Sequence, residues 1–69
     1  MRRIHQTETV NGRQCKVYRD SEWHEYVVRF YRNGEHLDAS DYFTNDRQDA
    51  IDTANHAIAN ERELGNIQF

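Results

Sequence analysis

Cys15, His24, His36 and His56 are the side chains of this chain best equipped to hold a metal ion, and their spacing argues against one. A structural zinc site draws ligands from short-spaced pairs, whereas here the gaps are long, irregular and spread over different elements. Nucleophilic catalysis needs a nucleophile, a base and a third group to orient the base. Ser21 and Ser40 stand beside Asp20 and Asp41, which is ordinary turn composition. No glycine-rich phosphate loop occurs, and a chain of 69 residues leaves little room for a water-excluding pocket. The expectation is a protein without metal, cofactor or catalytic residues, whose work is binding.

Charge supplies the first hint of what it binds. Net charge is −3, but residues 1–34 hold seven Lys/Arg against four Asp/Glu (+3), and residues 35–69 hold two against eight (−6). Such asymmetry points to a polar partner. The single cysteine excludes an internal disulfide. The opening Met1-Arg2-Arg3-Ile4-His5 lacks the apolar run of a signal peptide, and no stretch approaches the ~18 apolar residues of a membrane span. The expected location is the cytosol. One small domain, residues 1–69, must be stabilised by packing alone or by self-association, as monomer or homodimer.

The elements that position these charges are legible from turn chemistry and periodicity. Asn11-Gly12 and Asn33-Gly34 each offer two residues that tolerate positive φ, the requirement of a two-residue hairpin turn. They predict two hairpins, with strands near 3–10, 13–19, 24–32 and 35–43 and Asp20-Ser21-Glu22 as the joint. The first strand is polar and suits an edge. Alternation turns Tyr26, Val28 and Phe30 toward the core and Glu25, Val27, Arg29 and Tyr31 away from it. Leu37, Ala39 and Phe43 are expected inward, with a bulge near Ser40-Asp41 to accommodate Asp41 and release Tyr42.

Thr44 or Asn45 is the expected N-cap of a helix, with Gln48 at the capping-box position and Asp46 and Asp49 in the first turn. Ala50, Ile51, Ala54, Ala57 and Ile58 recur at helical spacing and form a narrow, alanine-rich stripe suited to close approach on a sheet. Gly65 is placed to close the helix. Asn66-Ile67-Gln68-Phe69 would fold back on the core or meet a second subunit. The fold class is α+β, an antiparallel meander of three or four strands with one C-terminal helix across one face.

Two surfaces then compete as binding sites. Asp49, Asp52, His56 and Glu63 share the exposed side of the helix, and Glu35 and Asp38 are expected to join them. A negative stripe can imitate the charge spacing of a nucleic-acid backbone and so occupy a basic groove of another protein. The other candidate is the helix-free face of the sheet, with Trp23, Arg29 and Tyr31 and with Lys16 or Arg19 from the neighbouring strand.

Trp23-x-Glu-Tyr-Val-Val-Arg-Phe-Tyr-Arg-Asn-Gly, continuing through Tyr42-Phe43-Thr44 to Asp49-Ala50, resembles in layout the three-stranded DNA-binding domains of the ethylene-response and integrase arm-binding type. The likeness spans about half the chain and implies double-stranded DNA contact through Arg19, Trp23, Arg29 and Tyr31. The departure is that the strand expected to help hold phosphates carries Glu35, Asp38 and Asp41.

Val-Arg-Phe-Tyr-x-Asn-Gly followed by Asp-Tyr-Phe-Thr-Asn-Asp-Arg is also similar to small bacteriophage and prophage accessory proteins, a class that includes anti-CRISPR inhibitors. That class is defined by role and transfers no residue. It implies a phage protein acting in the bacterial cytoplasm as a non-enzymatic inhibitor of a host defence or nucleoprotein complex. On this reading the partner surface comprises Glu35, Asp38, Asp49, Asp52 and Glu63, with Trp23 and Tyr31 as anchors.

Overall fold

The computed structural model describes residues 1–65 as an antiparallel sheet with one helix across it. Strands β1 (Arg2–Gln6), β2 (Arg13–Asp20) and β3 (Glu25–Arg32) lie side by side in chain order. The outer edge of β3 is shared by two short strands, β4 (Glu35–His36) and β5 (Tyr42–Thr44). Helix α1 (Arg47–Gly65) follows directly. The tail from Asn66 to Phe69 lies outside the described residues.

Both Asn-Gly dipeptides form the tight turns their chemistry demands. Asn11 and Gly12 have φ of 53° and 78°, Asn33 and Gly34 have 51° and 84°, and the flanking pairs Val10–Arg13 and Arg32–Glu35 close the hairpins. Left-handed backbone at both centres matches the twist of the strands. The two turns sit at one end of the sheet and are bonded together, Asn33 N–H donating to Gly12 O at 2.6 Å.

The first strand is shorter than its sequence suggests. Between Val10 and Gln6 the first arm carries one residue more than β2, and it gains another at Ile4, between the pairs Arg3–Tyr18 and His5–Val17. Each extra residue flips the side-chain alternation. Thr7 fills the first break: its N–H donates to Cys15 O at 2.9 Å, and its Oγ1 accepts from Cys15 N–H at 3.0 Å. The second flip puts His5 on the helix side, where its Nε2 meets Asn55 Oδ1 at 2.9 Å, and leaves Arg3 on the opposite face.

The fourth expected strand is interrupted. Residues 38–40 form a 3-10 turn in place of a bulge at Ser40-Asp41, with Ser40 N–H donating to Leu37 O. The side chain of Asp41 is drawn to His36 at 2.8 Å, which satisfies a carboxylate that a continuous strand would have turned inward. Ala39 is therefore exposed. Phe43 pairs with Val27 and so lies on the helix-free face, 56% exposed, rather than in the core. Tyr42 and Thr44 take the helix side instead.

The helix cap falls one residue after Asn45 and two after Thr44. Asp46 Oδ1 accepts the N–H groups of Gln48 and Asp49, and its carbonyl accepts that of Ala50. Thr44 Oγ1 receives Asp46 N–H and Asn45 makes no cap, so Asp46 holds the end that Thr44 or Asn45 was expected to hold. The alanine stripe packs as expected. Ala50, Ala54 and Ile58 are buried against Cys15, Val17 and Val28, with Ile4, Val10, Tyr26, Phe30 and Ala57 at the margin.

Candidate interaction surfaces

At 3.6 residues per turn, Asp49, Asp52, His56 and Glu63 fall within an arc of about 60° on α1, centred about 150° from Ala50 and Ala54. Asp52, His56 and Glu63 are exposed, and Asp49 is half-buried. The two arginines of the helix stay out of this arc: Arg62 lies about 80° from Asp52, and Arg47 about 140°. Arg62 is paired with Glu8 on the β1 side. The helix carboxylate nearest the sheet, Glu61, is neutralised by Arg13 at 3.4 Å. The outer face thus keeps its negative charge. Within it, Asp49 accepts the Tyr42 hydroxyl at 2.6 Å and Asp52 accepts Gln48 Nε2 at 2.9 Å. The bond to Asp49 pushes the Tyr42 phenol above its ordinary pKa.

Glu35 and Asp38 do not join that face. Glu35 sits opposite Arg32 at the tip of the β3–β4 hairpin, and Asp38 opens the 3-10 turn beyond it. Both are exposed at the sheet edge. Of the five carboxylates expected on one surface, three share the helix face.

The helix-free face of the sheet is an aromatic and cationic platform. Its base is Val27, only 2% exposed although it points away from the helix. Tyr18 and Phe43 flank it as its cross-strand neighbours. Lys16 Nζ stands 4.6 Å from the Tyr31 ring centre, and the Arg29 guanidinium 4.8 Å from that of Tyr18. Such stacking fixes long cationic side chains in place. Burial, followed by a hydrogen bond with Tyr31, raises the Tyr18 phenol. His36 stacks against Tyr31 at 5.2 Å on the outer edge.

The four residues of the DNA-binding resemblance are not brought together. Arg29 and Tyr31 share the helix-free face. Arg19 pairs with Tyr26 on the other side, and Trp23 lies in the β2–β3 turn, 71% exposed, beside His24 with φ of 51°. Tyr18, Phe43 and Arg3 are the platform residues that sequence reasoning missed. The first was findable, since period-two reading of β2 places Lys16 and Tyr18 on one face. Phe43 and Arg3 were hidden by the 3-10 turn and the break at Ile4.

Cys15 is buried in the core, and burial pushes its thiol up to about 11. Among the described residues no three of His, Cys, Asp and Glu gather closely enough to hold a metal ion. No helix there is long and apolar enough to cross a membrane.

Fold and surfaces together define an α+β sheet-and-helix domain with two chemically opposed faces. No protein-family profile, curated protein or solved structure matches this chain.

Proposed function

We propose that this chain is a small phage-type inhibitor, anti-CRISPR-like in role, that binds a nucleic-acid-handling protein complex of the bacterial host and competes with nucleic acid for it. The observation that carries this reading is the outer face of α1, where Asp49, Asp52 and Glu63 share one arc and both helix arginines are turned elsewhere. A row of carboxylates on a rigid helix presents negative charge at fixed spacing, the property by which a basic groove recognises a phosphate backbone. No bond is made or broken in this mode of action, so it calls for no catalytic residue or cofactor.

Charge reversal tests the reading. Asp52 and Glu63 are exposed, so Asp52→Lys with Glu63→Lys leaves the core untouched, whereas Asp49 carries the Tyr42 bond and is better left in place. Tagged wild-type chain is expected to retain a nucleic-acid-binding complex from bacterial lysate, and the doubly reversed chain to release it. Equal retention by both removes the acidic face from the account.

A second reading, a double-stranded DNA-binding module, is favoured by one specific observation: Lys16 and Arg29 are both held on tyrosine rings of the open sheet face. It predicts a shift of duplex DNA that weakens steeply with salt and that vanishes in Lys16→Gln while persisting in the helix double reversal.

A further inference from the structure

Near the start of β1 lie four arginines, Arg2 and Arg19 on the helix side of the sheet and Arg3 and Arg29 on the helix-free face. Arg2 stands directly opposite Arg19, and like charges in that relation repel. Arg3 lies opposite Tyr18, whose ring holds Arg29. Arg29 reaches the Met1 sulfur at 3.7 Å, while its Nε is buried without an acceptor. None of these four arginines takes part in an ion pair among the described residues.

The opposite end of the same sheet shows what compensation looks like. There Arg13 stands opposite Arg32, but Glu61 from the helix engages Arg13 at 3.4 Å. Nothing equivalent serves Arg2 and Arg19. The adjacent acid, Asp20, is committed to its own turn, where Oδ1 accepts the N–H groups of Glu22 and Trp23. Four arginines thus stand against three acids, Asp20, Glu22 and Glu25, none of which is ion-paired with them. A cleft opens between the opposed pair, lined by Met1, Arg2, Arg19 and Ser21. The residues that line it carry two guanidinium groups and a hydroxyl, the kinds of donor from which a tetrahedral oxyanion accepts hydrogen bonds, often two per arginine.

We propose that the cleft between Arg2 and Arg19 binds a phosphate-type oxyanion, supplied by a free polyphosphate or by the phosphodiester of a nucleic acid. The bound anion converts the repulsion between the two arginines into shared attraction. Arg3 and Arg29 raise the local potential without touching the ligand. This site is separate from the acidic helix face and stands whether or not that face binds a protein.

Trp23, the only tryptophan, lies two residues beyond Ser21 and serves as the fluorescence probe. The experiment titrates the full chain at low salt with inorganic pyrophosphate and, separately, with a single-stranded oligonucleotide. Calorimetry is run in parallel to register binding that leaves the indole signal unchanged. Saturable binding is expected, weakened at least about tenfold by Arg2→Gln and by Arg19→Gln, as loss of a charge-assisted hydrogen bond requires. Arg32→Gln, at the far end, is expected to leave it unchanged. Both cleft arginines are exposed, so circular dichroism of these variants should match the parent. Tighter binding of the oligonucleotide assigns the phosphate to nucleic acid, and tighter binding of pyrophosphate assigns it to a free polyphosphate. Absence of saturation by both probes at millimolar concentration overturns the proposal, as does equal weakening by Arg32→Gln.

Discussion

The backbone N–H of Asn33 donates to the carbonyl of Gly12 at 2.6 Å, so the turn of the second hairpin is docked on the turn of the first. Neither hairpin is independent at this end of the sheet. The side chain of Asn33 occupies the space that a methyl group on Gly12 would need, while the corresponding space at Gly34 is open.

Gly34→Ala and Gly12→Ala should therefore differ. Both force alanine into left-handed backbone, which costs about 1–2 kcal/mol. Gly12→Ala must in addition displace the Asn33 side chain and should rank as the more costly in denaturant unfolding. In an Asn33→Gly background that excess should disappear, which a double-mutant cycle reads directly.

The cap of α1 makes a sharper test of where the helix begins. Asp46→Ala removes the acceptor of two N–H groups and should cost about 1 kcal/mol. Asn45→Ala, one residue earlier, should stay within about 0.5 kcal/mol of the parent. A reversed ranking would contradict the cap geometry.

These two cases show what the sequence made legible. Asn-Gly at positions 11–12 and 33–34 announced the turns, and alternation along Tyr26, Val28 and Phe30 announced the core face, because both signals are local. The helix stripe was legible for the same reason. What local signals could not show was register. One extra residue at Ile4 decides which side of the sheet receives Arg3, and a 3-10 turn at 38–40 sends Phe43 to the face opposite the one its alternation suggested. The places of Arg3 and Phe43 on the platform around Val27 follow from those two irregularities, whereas Lys16, Tyr18, Arg29 and Tyr31 follow the plain alternation of β2 and β3.

The Cys15 thiol titrates only at about 11, because burial disfavours the thiolate. In the unfolded chain the same thiol titrates near 8.5. Its contribution to stability is thus complete below about pH 8.5 and is lost as pH rises toward its folded value, since there the unfolded state has released a proton that the folded state retains. The parent should lose more stability than Cys15→Ala between pH 8 and pH 10. Alkylation at neutral pH should require unfolding.

Close approach of the helix depends on Ala54, which is fully buried against the sheet. Ala54→Leu should overpack this contact and cost about 1–3 kcal/mol. Thermal unfolding measures it, and an unchanged midpoint would mean that α1 does not sit against β2 and β3 as described.

In the proposed mode of action, carboxylates on the outer face of α1 take the place of nucleic-acid phosphates on a host complex. The most direct measurement uses the complex captured by the wild-type chain, purified and offered its own nucleic acid in a mobility-shift assay. Wild-type chain should displace the nucleic acid in a concentration-dependent way, and Asp52→Lys with Glu63→Lys should fail to do so at the same concentrations. Simultaneous binding of chain and nucleic acid, or equal displacement by the reversed variant, would contradict it.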